Sequence, residues 1–280
     1  MELTIGRIED PVGRFILSGS TPAFANSFRR EMIGGVAKLA IEDVKIYDNT
    51  SALFDEMLAH RLGLIPLRTE RSVHVPAAEC ACEGAGCPAC TAIYTLSVEG
   101  PRMVCSGDLI PQDPSTGPVD GSIPIVKLTQ DQKVVLEAKA VMATGRQHAK
   151  WQPTLTCGYK NYPLIVIDEH CDGCGICVDE CPRGVLAARN EKVVVVKSRV
   201  EDCSLCRLCE RACLSASIGG EPSIRITPDE TRFVFQVESD GSLPVLEIME
   251  TALHHLRKKA LDLDTILSEV SEGEPHAATE

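Results

Sequence analysis

Residues 171–182, CDGCGICVDECP, and residues 203–213, CSLCRLCERAC, are two copies of one cysteine pattern. Each has the spacing C-x2-C-x2-C-x3-C, and the first copy ends in Pro182. Three cysteines at intervals of three can converge on three irons of a cubane, while the fourth iron needs a ligand from a distant part of the chain. In paired runs of this kind the fourth cysteine of each copy serves the other copy's 4Fe–4S cluster. The spacing therefore predicts one set of Cys171, Cys174, Cys177 and Cys213, and a second of Cys203, Cys206, Cys209 and Cys181. Gly173 and Gly175 leave room for backbone amides to approach the sulfides. A disulfide framework or a pair of zinc knuckles is the competing reading, and the doubled spacing favours clusters over both.

Outward from this segment, composition sets bounds. The chain has 280 residues, enough for one large or two to three small domains. Hydrophobic residues make up 44% and aromatics only 4%, so the core must rest on Val, Ile, Leu and Ala. The formal charge is −12 before any cluster is counted, which opposes direct contact with nucleic-acid phosphates. The beginning, MELTIGRIEDPVG, has neither the basic nor the apolar region of a secretion signal, and no apolar run reaches the length of a membrane span. The expectation is a reduced, cytoplasmic protein with no membrane association.

Residues 2–18 read as a hairpin turning at Asp10, Pro11 and Gly13. Thr21 and Pro22 open a helix to about residue 38, with Phe24, Phe28, Met32 and Val36 on one stripe and Arg29 and Arg30 off it. A strand is expected at 40–47. A short helix follows from about Ser51 to Leu62, with Phe54, Leu58 and Leu62 on one face. Residues 76–165 read as a loop-rich β segment, with strands near 92–98 and 133–142 and loops over 99–124. The cluster segment covers 163–222, with a strand-like run at 193–196 between the two motifs.

Phe233, Phe235 and Val237 alternate as in a half-buried strand. Ser242 and Pro244 then open a helix in which Leu246, Met249, Leu253, Leu256, Ala260, Leu263, Leu267 and Val270 step by threes and fours. That narrow seam suits association with another helix more than a broad core face. The tail from 271 is expected to be disordered. Cys80, Cys82, Cys87 and Cys90, spaced C-x-C-x4-C-x2-C, can close a tetrahedral zinc site. An empty reduced loop is the alternative. Cys105 and Cys157 read as small buried hydrophobes. No nucleophile constellation, phosphate loop or aspartate cluster stands out, so no catalytic centre is expected on this chain.

Four segments carry a family resemblance: FANSFRREMI (24–33), FDEMLAHRLGLIPL (54–67), SGDLIP (106–111) and HAKWQP (148–153). Together they resemble the D subunit of archaeal RNA polymerase, the counterpart of the third-largest subunit of eukaryotic polymerase II and of the bacterial α N-terminal domain. The resemblance implies an α+β chain of three parts and a tail. These are a split α-subunit-like dimerisation domain (1–50 plus 223–270), a loop-rich β insertion domain with the cysteine loop (51–162), a ferredoxin-like two-cluster domain (163–222) and the tail 271–280. It implies a heterodimer with the small subunit L, serving as platform for the large catalytic subunits of a nucleotidyltransferase complex. Nucleic acid would then be met only through partners. It also places Arg29 and Arg30 in the region that faces the large subunits, and likens the cysteine loop to the zinc loop of the eukaryotic homologue, from which the four residues between Cys82 and Cys87 depart. Cofactors are expected to be two 4Fe–4S clusters, convertible to 3Fe–4S by oxidation, and one zinc. The clusters would fold their small domain and could sense redox state. A ferredoxin-type electron-transfer protein is the alternative function.

Overall fold

The computed structural model describes residues 1–216 and 221–271. In chain order the elements begin with β1 (Glu2–Glu9), β2 (Val12–Ser18), α1 (Pro22–Gly34), β3 (Ala37–Asn49), α2 (Asp55–Gly63) and β4 (Thr91–Glu99). There follow β5 (Arg102–Cys105), β6 (Ile110–Pro111), β7 (Pro124–Leu128), β8 (Lys133–Thr144), β9 (Thr154–Ile167) and α3 (Ile176–Asp179). The last are β10 (Leu186–Arg189), β11 (Lys192–Val195), α4 (Leu208–Ala216), β12 (Ile224–Ser239) and α5 (Val245–Ser271). Antiparallel sheets with separate helices make this an α+β chain. It divides into two compact units. One comprises Met1–Gly6, Arg14–Ala25 and Tyr159–Phe235, and the other Arg7–Gly13, Asn26–Gly158 and Gln236–Glu280.

The first unit is built on a sheet of order β1-β2-β12-β9 and on the small ribbon β10-β11. Aromatic side chains pack against one another in its core. Phe15 stacks on Phe235 at 4.9 Å between centroids, and Tyr159 meets the edge of Phe233 at 5.6 Å. Strand β9, which the sequence reading does not mark, has Pro163 within it. It occupies a sheet edge, where a residue without an N–H donor is tolerated.

The second unit holds the sheet β3-β8-β4-β6 and the ribbon β5-β7. Alternate residues of the central strands, Val134, Leu136, Ala138, Ala140 and Met142 of β8 with Tyr94, Leu96 and Val98 of β4, form one buried face. Leu58 and Leu62 of α2 pack into the same core. The HAKWQP segment is pinned to this sheet: the Trp151 indole donates to the Val141 carbonyl at 3.1 Å, and Lys150 donates to the Ile41 carbonyl at 2.9 Å.

Several boundaries differ from expectation. Helix α1 opens as read, with the Thr21 hydroxyl accepting from the Phe24 amide at 3.3 Å, but it ends at Gly34, before Val36. Helix α2 starts at Asp55 rather than Ser51, because the Asn49 side chain accepts from the Ser51 amide and folds 49–53 into a turn. Phe54 consequently points to solvent while Leu58 and Leu62 are buried. Residues 99–124 are not all loop. Strand β5 pairs with β7 there, a non-local pairing of short strands that leaves little period in sequence. The tail expected to be disordered lies, beyond residue 271, outside the described residues.

Candidate metal centres

The two cysteine runs fold as a structural repeat. Gly173 and Gly175 lie at φ +73° and +79° in the first copy. Leu205 and Arg207, at the same places in the second copy, lie at +59° and +58°. The left-handed geometry is thus imposed by the turn, even where the residue is not glycine. Gly173 has a further reason to be glycine: a Cβ there would lie 2.1 Å from the Glu191 carbonyl oxygen. Glu191 and Asn190 form the positive-φ turn of the β10-β11 hairpin, so this hairpin packs directly on the first cysteine loop.

The charges that act on the buried cysteines cross between the two runs. Burial first, and then the negative charge of Cys213, Cys171 and Cys174 around it, push the Cys177 thiol up to about 11. In the other set burial pushes Cys209 up to about 11, reinforced by Cys181 and Cys203. Burial likewise raises Cys203, with Cys206 and Cys181 adding to it. Each fourth cysteine therefore stands beside the other copy's run. Cys177, Cys203 and Cys209 are buried among Val185, Leu186, Val193, Ile224 and Ile226, with Cys171, Cys181 and Cys213 packed at the margin. Cys174 and Cys206 are exposed, one in each set. Amide donors also reach the sulfurs. The Ser223 amide donates to Cys213 Sγ at 3.2 Å, and the Leu208 amide lowers the Cys206 thiol. Four converging thiols with amide donors in an apolar shell are the donor set that an iron–sulfur cluster requires.

Cys80, Cys82, Cys87 and Cys90 form the tightest sulfur group. All four sulfurs lie within 4.8 Å of one another. Cys80–Cys87 is 3.4 Å, Cys82–Cys90 3.5 Å and Cys87–Cys90 4.0 Å. Four sulfurs at 2.3 Å from a tetrahedral ion stand roughly 3.8 Å apart, so this group matches one metal ion. Positive φ at Glu83, Gly84 and Gly86 turns the loop back, and its amides close one-turn bonds, Glu83 to Cys80 and Cys90 to Cys87, both at 3.0 Å. The Cys87 amide and the Cys80 thiol pull the Cys82 thiol down to about 5. Cys80 stands near about 12: the Cys82 amide favours its thiolate, but hydrogen bonds with the Cys82 and Cys87 sulfurs and burial outweigh that amide. One thiolate is already favoured in a ring of thiols, as befits a site that sheds protons on binding metal. All fourteen cysteines are free of disulfides. Cys157 is half-buried, and desolvation pushes its thiol up to about 12. Cys105 is half-exposed rather than buried.

Helix α5 joins the second unit through its first turns. The Asp10 carboxylate accepts from the Val245 amide at 2.8 Å, a cap that sequence reading missed because its partners are 235 positions apart. Val245, Ile248, Met249 and Ala252 are buried. The seam read from sequence is thus divided. Met249 belongs to the chain's own core and Leu256 is half-buried, while Leu246, Leu253, Ala260, Leu263, Leu267 and Val270 are exposed, joined by Leu261 and Ile266. Beside the helix, Arg29, Arg30, Arg146 and Lys259 line a groove of about 610 Å³, with Glu31 as its acid. The Glu31 carboxylate is buried and accepts from Arg146 at 2.5 Å and Lys259 at 2.6 Å, an arrangement absent from the sequence reading.

Comparisons with known proteins agree with this architecture. The RNA polymerase Rpb3/RpoA insert domain family matches residues 44–168, and the 4Fe-4S dicluster domain family matches residues 170–217. The fold and its sites therefore define a polymerase insert domain joined to an iron–sulfur dicluster domain. The chain is 45% identical over 271 residues to DNA-directed RNA polymerase subunit Rpo3 of Methanosarcina acetivorans, covering 96% of this chain and 99% of that one. It is 46% identical to the protein of the same name from Methanosarcina mazei, with the same coverage, and 42% identical to that of Archaeoglobus fulgidus over 92% and 94%. The chain belongs to the DNA-directed RNA polymerase subunit Rpo3 family. Among the described residues no helix is long and apolar enough to cross a membrane.

Proposed function

We propose that this chain is a non-catalytic assembly subunit of DNA-directed RNA polymerase, heterodimerising with the small subunit L to form the platform for the large catalytic subunits. The observation that carries the reading is α5. Its first turns are held in the chain's own core, and its remaining turns carry exposed Leu253, Leu261, Leu263, Ile266, Leu267 and Val270. A helix that leaves its own core with an apolar stripe is built to bury that stripe on another helix. In this reading residues 1–50 with 223–270 form the dimerisation domain, 51–162 the insertion and 163–222 the cluster domain. The groove with Arg29 and Arg30 faces the large subunits.

Two 4Fe–4S clusters belong to the same reading. Cys171, Cys174, Cys177 and Cys213 hold one, and Cys203, Cys206, Cys209 and Cys181 the other. Bound clusters cross-link segments that have only a small apolar core of their own, and so stabilise the domain. They supply reversible one-electron chemistry, through which the domain responds to redox state. Cys80, Cys82, Cys87 and Cys90 hold one zinc, which staples the insertion loop. The protein works in the cytoplasm.

The test is anaerobic affinity purification from the native cytoplasm, with co-purifying proteins identified by mass spectrometry. Large polymerase subunits and the small subunit L in stoichiometric yield are expected. A flavoprotein or another redox enzyme in their place would overturn the scaffold role.

A further inference from the structure

We propose that the two clusters are unequal electron acceptors: the one held by Cys203, Cys206, Cys209 and Cys181 is reduced before the one held by Cys171, Cys174, Cys177 and Cys213, and the Lys160 ammonium sets that order. This rests on the two-cluster reading above.

Reducing a 4Fe–4S core from 2+ to 1+ adds one electron, and so one negative charge, to a site that already holds four thiolates. Nearby cations favour that step and nearby anions oppose it. Exposure differs by one residue: the first set has one buried cysteine and the second two, which by itself would favour reducing the first. Charge acts in the opposite sense. Residues 168–180, which carry three ligands of the first set, include Asp168, Glu169, Asp172, Asp179 and Glu180 and no Lys or Arg. Asp168 accepts from the His170 amide at 2.9 Å, and Asp172 holds the ligand loop itself, its carboxylate accepting from the Cys174 amide at 3.1 Å.

The second set is surrounded differently. The Arg211 charge favours the Cys206 thiolate, and the Lys160 charge favours that of Cys203. Lys160 Nζ donates to the Cys203 carbonyl at 2.7 Å. That acceptor is neutral, so the bond itself fixes the ammonium beside the ligand without cancelling its charge; Asp202, which also acts on Lys160, is paired with Arg14. Arg14, close by, is engaged by Asp202 at 2.9 Å and Glu201 at 3.4 Å, and its charge is largely neutralised. Lys160 is accordingly a positioning residue with an electrostatic role toward one cluster.

The test uses the full chain, reconstituted anaerobically with ferric iron, sulfide and a dithiol reductant to about eight irons per chain. It is titrated with dithionite through redox mediators and followed by low-temperature EPR. Two one-electron steps at separate potentials are expected. Cys206→Ser removes the higher step and Cys174→Ser the lower one. Lys160→Met makes the higher step roughly tenfold harder, a shift of about 59 mV for one electron, and leaves the lower step in place. Lys160→Arg restores it. Asp172→Asn keeps the acceptor for Cys174, removes a charge and raises the lower step alone, which tests the same ordering without touching Lys160. A Lys160→Met protein with full iron and an unmoved higher step overturns the role of Lys160. Loss of the lower step in Cys206→Ser overturns the order. Wild-type chain that saturates at about four irons overturns the two-cluster reading itself, and the proposal with it.

Discussion

Replacing Glu31 by glutamine isolates the interaction that seats α5 on α1. The Glu31 side chain is only 4% exposed, while its partners Arg146 and Lys259 are 58% and 49% exposed. Hydrogen bonds to a charged group contribute about 1.5–3 kcal/mol each. Both cations can rehydrate once the carboxylate is gone, so each bond is discounted to about 1 kcal/mol. Of the two bonds only that of Lys259 joins α5 to α1, so the expected loss there is about 1 kcal/mol, or roughly fivefold in the local opening equilibrium. Native-state hydrogen exchange reads it directly: amides of α5 should exchange about fivefold faster in Glu31→Gln. Pairing Glu31→Gln with Lys259→Met should give a coupling of at least about 0.5 kcal/mol. A control at the exposed Lys139–Asp43 pair, 3.2 Å apart, should change stability by less than about 0.5 kcal/mol. His255, 3.4 Å from Glu31, adds a pH signature. Burial holds its imidazole below the ordinary value of 6.5; Glu31 opposes that shift, and Arg71 and Lys259 reinforce it. A lowered folded value means that the neutral ring is favoured in the fold. Its stabilising contribution is complete above pH 6.5 and is lost as pH falls through the lowered value. Without the Glu31 charge that value should drop further, measurable by NMR titration of the imidazole. Unchanged α5 exchange together with an unmoved His255 would refute the reasoning.

The remaining expectations concern the loops and the stripe. Gly173→Ala should weaken the first cysteine set by about 2 kcal/mol or more, through an unfavourable φ and a clash with the Glu191 carbonyl, and lower its iron content. Leu205→Gly, at the equivalent position, should keep full iron. Cys82→Ser should abolish binding of about one zinc per chain, and chelation of wild-type protein should expose residues 75–91 to protease. Retained zinc in the variant would refute that ligand set. Leu263→Asp with Leu267→Asp removes two side chains that are 57% and 58% exposed and free to be buried on a partner. Each loses about 1 kcal/mol of burial and adds the desolvation of a carboxylate, so affinity for the small subunit L should fall at least about a hundredfold. Wild-type pull-down of L would refute the stripe.

Which of these features could be read from sequence depends on how local their causes are. The cysteine runs are legible because ligand spacing is a local constraint, and the alternation of Phe233, Phe235 and Val237 is legible because a half-buried strand repeats every two residues. All three side chains are indeed buried. Helix α5 is legible as a helix, but its division into an inward start and an outward remainder is not. An apolar residue at a seam position reads the same whether it meets its own core, as Met249 does, or solvent, as Leu263 does. The Asp10 cap of α5 and the cations around Glu31 come from segments more than a hundred positions away, and nothing local announces them. Strand β9 is hidden by Pro163, whose tolerance depends on an edge position fixed only by the assembled sheet.

The repeat itself carries the last step. If glycine made the cysteine turns, the second copy, with Leu205 and Arg207 in place of Gly173 and Gly175, should fold differently. It keeps the same positive φ at both places. Left-handed geometry at a residue with a Cβ disfavours the turn by about 1–2 kcal/mol, so two such residues in one short loop must be held by something outside their own propensity. The sulfurs supply it: the loop brings Cys203, Cys206 and Cys209 to Cys181, and the Leu205 and Leu208 amides point at the Cys203 and Cys206 sulfurs. A cluster bound there would offset that strain, because each amide would then meet a charged acceptor. The second loop should therefore depend more on its metal than the first. On removal of iron, protease should enter residues 203–213 before 171–181, and Leu205→Gly with Arg207→Gly should cancel that order. Equal cleavage of both loops in the iron-free chain would place the strain elsewhere.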